Sequence, residues 1–473
     1  MSWRGFIIGC LLVGCDSSSG LSVCKVACEI DSDCPTDQTC GLVGLCTDGV
    51  TSCPCEPDKF LRCDQQQALS CNAEGTEVAI ESCNNGCNAE FGRCNACVPD
   101  SQTCFTDVIA TCSTAGDGYT QSSCALGCVD ATETEAPRCK YISPAFLPDV
   151  CDVVAAEEEL VLPSSVNLDT RLDTLCNGGI VTPTLGPPIC VVRYRRIELS
   201  SGSVRVTGPR VLALVADEEL SVAATLDASA GGPGAGTLVS GARALSSSGG
   251  GGAGFRTNGG GGGGNTTVGT GGVGGVMLMP DPTTTGMIGG PQSQGPTSAQ
   301  LTQGYPLPGS AGGAVLLIAC RGSATITGTV DVNGGGGAGG KGILVQGNSV
   351  DVGGTGGGAG GVAIVQGATV VVSGSMFANG GGGGGGCGGS GCVGGLGQTG
   401  QRSTTPGTGG PAAAGGGDGG TGGTGTVAPG PGAGKGGGGG AAGWLWAYTP
   451  EGAAPTLSST SSPAIEARTL TVR

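Results

Sequence analysis

The residues best placed to do chemistry in this 473-residue chain are its 26 cysteines, and their spacing suggests oxidation to disulfides. Cys55, Cys63, Cys71, Cys83, Cys87 and Cys94 follow the pattern C-x7-C-x7-C-x11-C-x3-C-x6-C. Cys97, Cys104, Cys112, Cys124, Cys128 and Cys139 follow C-x6-C-x7-C-x11-C-x3-C-x10-C, so three of the five gaps are identical. Upstream, Cys28, Cys34, Cys40 and Cys46 stand six apart between Cys24 and Cys53, and far downstream Cys387 and Cys392 predict a local staple. Six cysteines per module allow about fifteen pairings, and spacing alone does not choose among them. The chain has no histidine, which weakens zinc sites, leaves only all-cysteine ones formally open, and excludes Ser-His-Asp and Cys-His catalysis. A second candidate is the carboxylate pair Asp227 and Asp331, at equivalent positions of a repeated unit, because paired acids can perform general acid and base catalysis. Asp31, Asp33 and Asp37 crowd Cys34, where capping of tight turns competes with calcium binding as an explanation.

The compartment must permit this oxidation, and the N-terminus addresses it. Arg4 supplies a positive charge, Gly5 to Val13 is an apolar run of nine, and Leu12-Val13-Gly14-Cys15 precedes a polar stretch from Asp16. That is the layout of a secretory signal. The run is far shorter than the ~20 residues that span a bilayer. Leu12-Val13-Gly14-Cys15 resembles the lipobox of bacterial lipoproteins, which implies cleavage before Cys15, acylation of that residue and membrane attachment through lipid. Setting aside Cys10 and Cys15 leaves 24 cysteines, an even number for full pairing in an oxidising space.

Charge excludes one large class of function. Residues 231–473 carry six acidic and eight basic residues, a net of +2, so residues 1–230 carry a net of −18 against the chain's −16. An acidic half and a near-neutral half argue against nucleic-acid binding. Aromatic residues are 3% of the chain and glycine supplies 101 positions, too little bulk for an ordinary large core.

The elements that must position the candidate residues are repeats. Modules of about 40 residues bury too little to fold alone, and cross-links at ~2–4 kcal/mol each compensate. In the glycine-rich half, residues 211–232, 315–336 and 361–382 align as three ungapped copies of one unit. Each alternates with the period of a strand: Leu220, Val222, Leu226 and Ala228 form an apolar row matched by Ala324, Ile326, Val330 and Val332, and by Val370, Val372, Met376 and Ala378. Asp227, Asp331 and Phe377 fall on the alternate row and are expected to face outward, with breaks at Ala224, Gly328 and Gly374 as corners. Val204 to Gly208 predicts a further strand upstream, Trp444 to Tyr448 a late one whose aromatics cap the stack, and Ala467 to Val472 a closing one. One unit cannot bury its own apolar row, but stacked units bury a continuous one. The glycine tracts in 233–313 and 383–440 are expected to leave the stack as excursions that build no core, because ordering each glycine costs ~0.5–1 kcal/mol more than alanine. They are either surface loops, flexible or in extended polyglycine-like packing, or disordered.

The expected architecture is therefore mainly β: a right-handed parallel β-solenoid with long glycine-rich loops, preceded by small disulfide-rich modules. Residues 1–14 form the signal peptide, 15–23 a lipid-anchored tether, 24–140 the modules (24–53, 55–94 and 97–139) and 141–473 the solenoid. The combination resembles cysteine-rich and glycine-rich surface lipoproteins of the myxobacterial type, a resemblance that implies architecture and no established activity. Glycine-rich nucleotide motifs are not supported: no G-x-G-x-x-G joins a strand to a helix, and Gly342 stands where Gly335 to Gly342 would need Ser or Thr for a phosphate loop. The expected role is non-enzymatic, a surface-displayed lipoprotein with a binding, adhesive or structural function, no cofactor and no metal. Its expected partners are a membrane through the lipid, and a cell-surface glycan or protein. The alternative is a carbohydrate-active β-helix enzyme using Asp227 and Asp331, as polysaccharide lyases and hydrolases of that fold place acids on neighbouring coils.

Overall fold

The computed structural model describes residues 23–473 apart from Val154, Ser164, 244–247, Asn265, Thr266, Val268, Gln346 and Gly347. Cys15 and the signal-like segment lie outside the described residues. The chain divides into two compact units: one covers the described residues up to Ser123 plus Cys128–Arg138, and the other covers Cys124–Gly127 and Cys139–Arg473. Secondary structure is mainly β, and the one described α-helix is the short Ser298–Thr302.

The first unit is built by cross-links rather than by a core. Cys24 bonds to Cys53, Cys28 to Cys40 and Cys34 to Cys46. Strands Phe60–Asp64, Gln67–Cys71 and Val78–Ser82 form an antiparallel sheet, tied by Cys55–Cys71, Cys63–Cys87 and Cys83–Cys94. The next repeat forms the same sheet from Gln102–Phe105, Val108–Cys112 and Tyr119–Ser123. Its bonds, Cys97–Cys112, Cys104–Cys128 and Cys124–Cys139, join first to third, second to fifth and fourth to sixth, as in the preceding copy, the last of them lying within the second unit.

The second unit holds two large parallel sheets. In one, Ile189–Leu199 pairs with Val211–Val222, which pairs with Ala314–Ala319 and Ser323–Ile326. These continue to Val362–Gln366 and Thr369–Val372, then to Trp444–Pro450 and Thr456–Leu457; Glu466–Val472 follows in parallel, and Ile142–Ser143 adds antiparallel at the edge. The other sheet stacks Val166–Asp169, Ser203–Thr207, Thr225–Asp227, Thr329–Asp331, Ser375–Phe377 and Thr460–Ser462, all parallel. Leu226, Val330 and Met376 are in register and fully buried in a core shared with Leu220, Ala324 and Val370.

Two expectations need correction. The ungapped alignment holds from Leu220 onward but fails before it. Leu212, not Val211, pairs with Val315, and Val315 pairs with Ala363 rather than Gly361. Val211–Val222 runs unbroken, whereas Cys320–Gly322 and Gly367–Ala368 interrupt the later copies, so the linkers differ in length. A one-residue slip inverts every side chain. Leu212, Leu214, Val315, Leu317, Ala363 and Val365 therefore face the first core. Val211, Ala213, Leu316, Ile318 and Ile364 face a second core containing Tyr141, Leu147, Phe255, Met287 and Trp446. Strand Ala314–Ala319 is buried throughout, as a parallel strand covered on both faces must be. Trp446 belongs to this second core and is no surface cap.

The second correction concerns glycine. The tracts do not loop away; they form an interior of their own. Gly354, Gly357 and Gly360 donate to the carbonyls of Lys435, Gly438 and Ala441, while Thr355, Gly358 and Gly361 donate to Ala338, Gly335 and Val332. Gly380, Gly383 and Gly386 donate to Gly423, Gly420 and Gly417; Gly381 and Gly384 to Gly358 and Thr355; Gly382 and Gly385 to Gln398 and Gly395, all at 2.7–3.0 Å. Every third residue thus meets the same neighbour. That is the behaviour of an extended helix of about three residues per turn with no internal hydrogen bonds. Backbones approach so closely that a Cβ on Gly439 would lie 1.7 Å from the Thr421 carbonyl oxygen, and one on Gly336 1.8 Å from that of Gly397. Glycine's ordering cost is offset by inter-tract hydrogen bonds, at about 1 kcal/mol net each.

Candidate functional site

The carboxylate pair lies where two strands meet in register. Asp227 pairs with Asp331 across the parallel ladder, and Phe377 follows on the next strand. These side chains turn away from the apolar core, but Asp331 and Phe377 do not reach water: each is 4% exposed. The cover is the segment around Arg402. Asn379 Nδ2 donates to the carbonyls of Gln401 and Ser403, and Arg402 bonds Asp331 at 2.6 Å and approaches Asp227 at 3.6 Å. Arg205, on strand Ser203–Thr207, bonds Asp227 at 2.6 Å and also donates to Ser229 and Ala230. The sequence showed few bases near this pair because Arg402 arrives from 71 residues away.

Environment separates the two acids. Burial pushes the Asp331 carboxyl above the usual carboxylate range, and the Asp227 charge adds to this against opposition from Arg402 and the Asn333 N–H. Burial also pushes Asp227 upward, but hydrogen bonds from Ser229 and the Arg205 charge together outweigh it and hold that carboxyl below its ordinary value. Opposed proton affinities are what an acid and a base require. Here, however, each carboxylate is occupied by a guanidinium, and the arrangement pins a glycine-tract connection to the strand edge.

The Asp331 shift carries a sign. A carboxyl whose folded pKa lies above its unfolded value of ~3.9 holds its proton more tightly when folded. Its contribution to stability is fully present below that value and lost as pH rises through the folded pKa. Removing Arg402 takes away the group that opposes the shift. Arg402→Gln is therefore expected to lose more melting temperature than the parent between about pH 4 and about pH 7, and Asp331→Asn in that background to abolish the excess. Thermal melts at the two pH values check this; parallel pH dependences in parent and Arg402→Gln would contradict it.

The other candidate residues are placed as follows. Cys387 bonds to Cys392 across Gly388–Gly391. Cys28, Cys34 and Cys46 bring sulfurs within 4.8 Å of one another, the only metal-like cluster among the described residues, but each sulfur is already in a disulfide. Asp33 accepts from the N–H groups of Glu29 and Ile30, and Asp31 from that of Cys40, so these two cap turns. Two bonds had no signal in the spacing: Cys176–Cys190, and Cys151–Cys320, which closes 169 residues. Also unanticipated is fully buried Asp217, which takes Arg193 at 2.5 Å, Arg321 at 3.1 Å and the Ala156 N–H at 2.6 Å. The strand carrying Arg193 has no clear alternation in the sequence, because its apolar positions lie in a short run, Ile189 to Val192, before a basic one.

No protein-family model matches the chain, and no curated protein or solved structure is significantly similar to it. Among the described residues no helix is long and apolar enough to cross a membrane.

Proposed function

We propose that the chain is an exported lipoprotein of the cysteine-rich, glycine-rich surface type, acylated at Cys15 and displayed in the cell envelope. Its role is to bind, adhere or bear load, without catalysis, and its partner is a cell-surface glycan or protein. The observation that supports this best is the pairing of every cysteine from Cys24 to Cys392 in twelve disulfides. Disulfides persist in oxidising compartments. The cysteine-rich modules serve as the spacer that follows the anchor in the chain. The paired strand units wind as a right-handed parallel solenoid, the hand that parallel crossovers take in about 98% of cases.

Attachment is the testable core of this reading. Acyl chains contribute ~0.8 kcal/mol per buried CH₂, so two or more hold a protein stably. The parent protein should remain with membranes after a carbonate wash, and Cys15→Ser should appear in the soluble fraction. A Cys15→Ser protein that still pellets with washed membranes contradicts the anchor.

A further inference from the structure

We propose that the cleft beside Arg193 binds a small apolar carboxylate. The cleft encloses about 290 Å³, and its walls are Phe146, Leu147, Val150, Val153 and Val181, with Arg193 the basic group among them. That volume lies at the low end for ligand sites, which suits a short hydrocarbon acid. The wall is preformed. Phe146 holds a left-handed φ of 68°, rare for a bulky residue, and stacks on Trp446 with ring centroids 6.5 Å apart. The Cys151–Cys320 bond fixes the end of the same segment.

The charge balance points to an anion. Two guanidiniums, Arg193 and Arg321, share the single carboxylate of Asp217, leaving one positive charge in excess in a largely buried setting. Arg193 Nη2 reaches Asp217 and, at 3.4 Å, the Val153 carbonyl. Its Nη1 has no acceptor among the described residues, and its Nε is buried without one. A surplus charge held largely away from water is costly, so a carboxylate brought to Arg193 from the cleft balances it. Competing acids are accounted for. Asp149 at the rim is already paired with Arg473 at 3.3 Å, and Glu157 and Glu158 share the adjoining cleft with Arg193, so an anion is repelled from that side and directed to the apolar one.

The test is calorimetric titration of the full chain with octanoate and with uncharged octanamide. Octanoate should bind at least ~10-fold more tightly than octanamide. Val181→Phe fills the mouth of the cleft at a side chain that is 37% exposed, so it spares the fold and should remove octanoate binding. Arg193→Gln, shown to be folded by its melting curve, should bring the two probes to equal affinity. Equal affinity in the parent protein, absence of octanoate binding, or unchanged binding in Val181→Phe would each overturn the assignment.

Discussion

Gly439→Ala is expected to destabilise the protein by more than about 3 kcal/mol, an unusually large effect for adding one methyl group. The new Cβ would stand 1.7 Å from the Thr421 carbonyl oxygen, and the atoms it meets are backbone, which cannot rotate aside. Gly439 also donates to the Gly430 carbonyl and lies between residues bonded to Gly250, Gly381 and Gly384, so any shift spreads into several tracts. Gly389→Ala is the control. There the nearest atom, Ala414 Cβ, is 3.6 Å away, an ordinary contact. A change within about 0.5 kcal/mol is expected, or slight stabilisation through a stiffer unfolded chain. Denaturant midpoints of the two variants, with disulfides intact, check the contrast. Comparable midpoints would mean that the tracts do not pack as an interior.

Val330→Asp is expected to cost about 4 kcal/mol or more, because it places an unpaired charge in a dry apolar site. Val330 is fully buried, flanked in register by Leu226 and Met376, and no basic residue joins that core. Thr329→Asp changes the adjacent residue, whose side chain turns to the opposite face and is only half-buried, so about 1 kcal/mol is expected. Soluble yield and thermal midpoint separate the two. If Thr329→Asp proves the more damaging, the inward row has been assigned to the wrong parity.

The parity of Leu226, Val330 and Met376 was legible in the sequence because alternation is the strand period and the units are ungapped there. The parity of Val211 to Ala216 was not. Val, Leu, Ala, Leu, Val and Ala occur in succession, and a strand covered on both faces has no polar row to mark its outside. The disulfide modules were visible as a spacing, since cross-links within a short repeat fix their own distances. Cys151–Cys320 left no such trace, because its partners meet only once the strands between them have stacked. Arg402 was illegible for the same reason. The glycine tracts show no apolar row, so nothing in their composition separates a flexible loop from ordered polyglycine packing. A core is ordinarily made of side chains, whereas these tracts bury backbone against backbone. The signal that could have revealed this is the length of the uninterrupted runs, such as Gly380 to Gly386: a flexible loop needs some glycine, but three-sided packing needs it at every contact.

Native-state amide hydrogen exchange tests most directly whether parallel strands carry an ordered glycine interior. The N–H groups of Gly357, Gly381, Gly384 and Gly438 each have an inter-tract carbonyl partner, so they should exchange as slowly as those of the core strands Ala314–Ala319 and Val362–Gln366. Exchange of these glycines at the rate of an unstructured chain, while the strands stay protected, would return the tracts to loops and contradict the account.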